Sequence, residues 1–119
     1  MPAGYKVIRS VGCEEDLELI FDHLVNAYQD LGDLPDVALD QAARRLVGIE
    51  NDLARLGDVP FQGTLEPQIM AGLRHVTKNR AVVYFTADET DETVRVLGIF
   101  FGGQDHRRHI LARIASKQM

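Results

Sequence analysis

Apolar positions change their period twice along this chain. Tyr5, Val7, Ile8 and Val11 sit in YKVIRSV, residues 5–11, and read as a short strand. Gly12 follows, then Glu14, Glu15 and Asp16, acids placed where a helix N-terminus favours negative charge. Leu17, Ile20, Phe21, Leu24, Val25, Tyr28 and Leu31 then recur at steps of three and four, one apolar stripe on a helix that Gly32 stops. DLPD at 33–36 is a turn, with Asp36 placed to cap a second helix. There Leu39, Ala42, Leu46, Ile49, Leu53 and Leu56 form a heptad-like seam that ends at Gly57. The short link between the two stripes predicts an antiparallel helical hairpin.

Two prolines and a glycine in DVPFQGTLEP, 58–67, predict an ordered surface loop. Beyond it the period becomes two. The runs 69–76, 80–87 and 94–101 are rich in β-branched and aromatic residues, and only TKN and DETDET separate them. Links that short imply a three-stranded antiparallel meander. In the middle run Val82, Tyr84 and Thr86 share one face, and Ala81, Val83, Phe85 and Ala87 the other. Both faces are substantially apolar, so the hairpin should cover one, and a C-terminal helix or another chain part of the second. The tail, 105–119, reads as a short helix capped by Asp105, with Ile110, Leu111 and Ile114 as its apolar positions. The expected fold is α+β: N-terminal strand, antiparallel helical hairpin, three-stranded meander, short C-terminal helix.

At 119 residues the chain suits a single domain, 1–119, with one core. No apolar run approaches the ~20 residues that cross a bilayer, and no signal-peptide pattern opens the chain. Cys13 is the sole cysteine, so no internal disulfide forms and a cytoplasmic location is expected. The net charge of −5 is unevenly placed. Thirteen acidic and three basic side chains fall in 14–66, whereas eight basic and five acidic ones fall in 67–119. An acidic half and a basic half suggest two surfaces with different partners, or simply solvated helix faces. Overall acidity argues against a protein that grips many phosphates.

Candidate chemistry gathers in IFFGGQDHRRHIL, 99–111. His106 and His109 have a spacing that can present two imidazoles on one helical face, but no carboxylate motif completes a metal set, and neither metal nor cofactor is expected. Cys13 near a helix N-terminus is a candidate for a depressed pKa, against the plainer reading of a partly buried thiol. Gly102-Gly103 is a turn signal, and no phosphate-binding glycine loop or nucleophile elbow is present. Arg74 and Arg80 lie in or at the start of adjacent strands, and Arg107, Arg108 and Arg113 in the tail. If Arg80 begins the middle strand it lies near the end of the last one, toward His106, Arg107 and Arg108. Guanidinium and imidazole together can bind phosphate and move protons; a rim of solvated arginines is the competing reading.

The order of elements, with GLRHVTKNRAVVYFTADETDETVRVLGIFFGGQD, resembles the RelE/ParE superfamily of bacterial type II toxins, known also from plasmid stabilisation systems. The resemblance rests on Gly72, Leu73 and Arg74; Arg80, Val82 and Tyr84; Val96, Leu97 and Ile99; and Gly102 and Asp105, with PFQG at 60–63 before them. It implies a growth-inhibiting toxin in a hetero-oligomer with a cognate antitoxin, whose C-terminal segment wraps the hairpin and the sheet. It also implies one of two targets, DNA gyrase for ParE-like members or ribosome-bound mRNA for RelE-like endoribonucleases. Where RelE-like toxins carry a basic residue or a His-Tyr pair, this chain has Phe100, Phe101 and Gly102. Phenylalanine neither transfers protons nor stabilises a phosphorane, which favours the ParE branch. On that reading Arg74, Arg80, His106, Arg107 and Arg108 contact the target. On the nuclease reading Arg80 and His106 are catalytic, and a third possibility is a decayed, non-toxic relative.

Overall fold

A computed structural model describes residues 4–101 and 105–117 of the chain. Strand β1 (Lys6–Arg9) leads into α1 (Val11–Asp30) and α2 (Pro35–Ala54), and a single 3-10 turn (Arg55–Asp58) closes the second helix. Strands β2 (Thr64–Leu65), β3 (Leu73–Lys78), β4 (Ala81–Asp88) and β5 (Thr93–Phe101) follow, then α3 (His106–Lys117). The expected meander forms as β3–β4–β5 and gains a strand on each edge, in the order β1-β5-β4-β3-β2. β1 pairs parallel with β5, the long hairpin supplying the crossover, and the loop after α2 contributes β2 against β3.

Local chemistry sets the boundaries. Ser10 caps α1 by accepting from the Cys13 backbone N–H at 3.1 Å, so the helix starts earlier than its acids suggest. Gly32 ends it with φ +108, a conformation in which a side chain would be strained. Asp36 does not cap α2: Leu34 holds that position without a side-chain bond, Pro35 opens the helix, and Asp36 lies in its first turn. Ala38 rather than Leu39 begins the buried seam, which continues through Ala42, Ile49, Leu53 and Leu56, while Leu39 is exposed.

The hairpin lies on one sheet face, where Leu17, Ile20, Leu24, Ile49 and Leu53 meet Val83, Phe85, Val94, Val96 and Ile99. The opposite face carries a second, smaller core in which α3 lays Ile110 and Ile114 on Leu73, Tyr84 and Phe100. A bulge shapes that face. Tyr84 pairs with Gly98 and Phe85 with Val96, leaving Leu97 as the extra residue of β5. A Cβ on Gly98 would stand 2.7 Å from the Arg113 guanidinium, so glycine there lets α3 come down onto the strand. Asp105 caps α3 weakly, accepting from the Arg108 N–H at 3.4 Å. The Gly102-Gly103 turn signal lies outside the described residues.

Candidate functional site

The β3–β4 turn fixes which side chains meet. Asn79 and Arg80 have φ +49 and +69, both left-handed, the signature of a two-residue type I′ hairpin loop. That loop sets His75 opposite Tyr84 and Arg74 opposite Phe85. His75 and Tyr84 therefore share the face under α3, and Arg74 stands on the other.

On the α3 side the Tyr84 hydroxyl and His106 Nδ1 are 2.7 Å apart. The His75 ring lies with its centroid 5.5 Å from that of Tyr84 and 6.4 Å from that of His106. Glu66, from the link between β2 and β3, is buried beside them. Its carboxylate accepts from Arg107 at 2.6 Å and from Gln68 at 2.9 Å, and His75 Nδ1 stands 3.5 Å away with no hydrogen-bond partner among the described residues. The Gln68 hydrogen bond, against the opposing effect of burial, and then the Arg107 charge hold the Glu66 pKa below the usual carboxylate range. Burial pushes the Tyr84 phenol the other way, up from its usual value, with Arg107 opposing and Glu66 reinforcing. The phenol is therefore neutral near neutral pH, and the imidazole tautomer decides which of the two groups donates.

A second clasp lies along the same helix. Asp16, buried in α1, accepts from Arg113 Nη1 at 2.6 Å, from Arg113 Nη2 at 2.8 Å and from the Ile99 N–H at 2.9 Å. Arg113 Nη1 also donates to the Leu97 carbonyl at 3.0 Å. Between α1 and α3, Leu19, Ile20, His23, Phe100 and His109 line a half-open cavity of about 180 Å³, with His109 stacked on Phe100.

The predicted site residues divide into two groups. His106 joins Tyr84, Arg107 is tied to Glu66, and Arg108 is exposed, all on α3. Arg74 instead donates to the Phe61 carbonyl at 2.7 Å and lies over the Phe61 ring. Arg80 lines a shallow depression with Arg44, Arg45 and Asn79 at the α2 side, away from the Tyr84–His106 pair. Cys13 is fully buried, and burial, then the charges of Asp16 and Glu14, push its thiol up to about 12, so the depressed-pKa reading does not hold. Glu66, His75 and Tyr84 were not among the site residues expected from the sequence, although Tyr84 is one of those that carry the resemblance. The signal that finds them is the hairpin register, since a loop at Asn79-Arg80 pairs His75 with Tyr84.

No protein-family model matches the chain, and no curated protein matches it significantly. Solved structures do. A chain of the chromosomal ParDE TA system from P. aeruginosa superposes with a TM-score of 0.63 at 19% identity, covering 82% of this chain and 96% of that one. A chain of the toxin–antitoxin complex RelBE2 from Mycobacterium tuberculosis superposes with a TM-score of 0.56 at 16% identity, covering 83% of this chain and 99% of that one. The fold is RelE/ParE-like.

Proposed function

We propose that this chain is the toxin of a type II toxin–antitoxin module and that it acts by binding a protein target such as DNA gyrase, not by cutting RNA. A cognate antitoxin neutralises it in a hetero-oligomer, and the module works in the bacterial cytoplasm. The fold likeness to chains from two toxin–antitoxin systems, each covered almost completely, supports the toxin part of the reading.

The observation that carries the choice of target is the charge at the Tyr84–His106 pair. RNA cleavage needs a guanidinium or ammonium on the phosphate as negative charge develops. Arg107, the guanidinium whose charge acts on Tyr84, is already engaged with buried Glu66, and Arg113 on the same helix with buried Asp16. A phosphate entering there meets the Glu66 carboxylate instead. Half-buried His106 and exposed Arg107 and Arg108 on α3, with Arg74 and Arg80 on the far side, serve in this reading as protein contacts.

One observation favours the endoribonuclease alternative: a phenol and an imidazole in hydrogen-bond contact, with His75 beside them, are acid–base groups. Induced expression without antitoxin separates the two. Growth arrest with a DNA-damage response, intact mRNA and undiminished potency of Tyr84→Phe is the expected result. Rapid translation arrest with cleaved mRNA, abolished by Tyr84→Phe or His106→Ala, would sink the gyrase reading. An unaffected host would leave a decayed relative.

A further inference from the structure

The cavity between α1 and α3 is used by neither reading of the function. Its volume, about 180 Å³, is that of one small ring system, since an apolar cavity of about 150 Å³ is enough for benzene. Its walls are largely rings. His109 lies nearly flat on Phe100, with centroids 5.6 Å apart and planes 18° apart, and His23 is tilted against Phe101 at 6.1 Å. Buried Ile20 and Ile99 form the apolar base, and Leu19, 66% exposed, stands at the mouth.

Charge and hydrogen bonding narrow the occupant. Asp16 and Arg113 also line the cavity, but they are bound to each other at 2.6 and 2.8 Å, so the recess offers an ion no free opposite charge at its base. A backbone acceptor is left over instead. The Ile99 N–H turns away from β4 to reach Asp16. In an antiparallel ladder the carbonyl of such a residue faces the same side as its N–H, here toward α1. β1 ends its pairing with β5 at Val96, so no strand meets that edge at Ile99. Ile99 is 1% exposed, and a buried carbonyl on an open edge calls for a donor.

We infer that this cavity is a binding site for a small neutral aromatic molecule with one N–H or O–H donor, a ring of indole or phenol size. The ring packs among Phe100, Phe101 and the two imidazoles, and its donor meets the Ile99 carbonyl. Because α1 supplies one wall and α3 another, a bound ring also ties α3 down beside the Asp16–Arg113 pair. The site does not depend on the toxin reading.

The chain has no tryptophan, so the fluorescence of indole itself reports binding. Indole is titrated against the full chain beside N-methylindole, which lacks the donor, and N-acetyltryptophanamide, which carries the ring on a peptide unit. The expected Kd for indole is about 1 mM or tighter, as a ligand of that size allows, and about fivefold weaker for N-methylindole. The amide, too large for the recess, should bind more weakly than indole. Nuclear Overhauser contacts from indole to the Ile20 and Ile99 methyls should place the ring, and the α3 amides should gain protection from exchange. His109→Ala puts a good helix former at an exposed position, so the fold is kept while one wall is lost, and indole should weaken about fivefold. Leu111→Ala, also exposed on α3, should leave the affinity unchanged. No saturable binding, equal affinity for N-methylindole, undiminished affinity in His109→Ala or contacts elsewhere on the chain each overturns the inference. Tighter binding of the amide overturns it too, by assigning the cavity to a partner's side chain.

Discussion

Replacing Arg113 by methionine should reveal what holds α3 to the rest of the molecule. The side chain makes two bonds to the Asp16 carboxylate and one to the Leu97 carbonyl, and Asp16 is 4% exposed. Methionine keeps most of the stem, so the change is chiefly in charge and hydrogen bonding. Asp16 would retain one donor, the Ile99 N–H, and would otherwise be a buried carboxylate without a cation. Breaking a buried pair from one side costs about 3–5 kcal/mol. The Arg113 side chain is partly open to water, which moves the expectation to the lower end, ~3 kcal/mol. At roughly 4 °C per kcal/mol for a chain of this size, the midpoint falls about 12 °C. The loss has a ceiling, because α3 can lift off and let water reach Asp16. Lifting gives up the burial of Ile110 and Ile114, about 1.5–3 kcal/mol each. Urea titration measures the loss, and hydrogen exchange shows whether the α3 amides lose protection first, as expected of a short helix deprived of its dock. Asp16→Asn removes the buried charge, so the double variant should recover about 1–2 kcal/mol relative to additivity. A loss below ~1 kcal/mol for Arg113→Met, with α3 protection unchanged, would refute the view that this ion pair latches the helix.

Acid should loosen the opposite clasp. The Glu66 pKa is depressed in the folded chain, so its contribution is complete above the ordinary carboxylate value and disappears as pH falls through the folded one. Wild type should therefore lose stability relative to Glu66→Gln between about pH 5 and pH 3, and parallel urea curves across that range would contradict the assignment. Cys13, with its thiol pushed up to about 12, should react with a disulfide reagent at pH 8 roughly a thousandfold more slowly folded than unfolded. Rapid labelling of the folded chain would show that the helix start opens readily.

Helices and strands were legible because burial on one side imposes a period, and the chain keeps that period closely. The failures lie where local chemistry competes with the stripe. Leu31 fits the α1 period yet is 83% exposed, because it sits at the helix end, beside the Gly32 turn. Leu39 fits the α2 seam, but the small Ala38 is the residue that faces inward at that end of the helix. The site was hidden by one turn. Reading TKN as the link places the loop at 77–79, whereas the left-handed pair is Asn79-Arg80. That displacement changes which residues of β3 stand opposite β4, and so which face carries Arg74 and which carries His75. Propensity could not find it, because asparagine followed by arginine is not the usual sequence for a type I′ loop.

The uneven charge was legible too, but its meaning inverts in three dimensions. Acidic and basic halves suggested two surfaces for two partners. Instead the halves close on each other: Arg113 from the tail pairs with Asp16, and Arg107 from the tail pairs with Glu66. Both acids are buried, so these cations are committed to holding α3 and contribute little field outside the molecule. On the α2 side Arg44 pairs with Asp40 and Arg45 donates to the Asn79 carbonyl, beside Arg80 in the left-handed turn. A charge count along the sequence therefore points to the tail as the contact surface, whereas pairing removes much of the tail's charge. The same pairing puts a carboxylate beside the Tyr84–His106 pair, where a nuclease would need a cation. The proposed function thus follows from the distribution of ion pairs and not from the charge count.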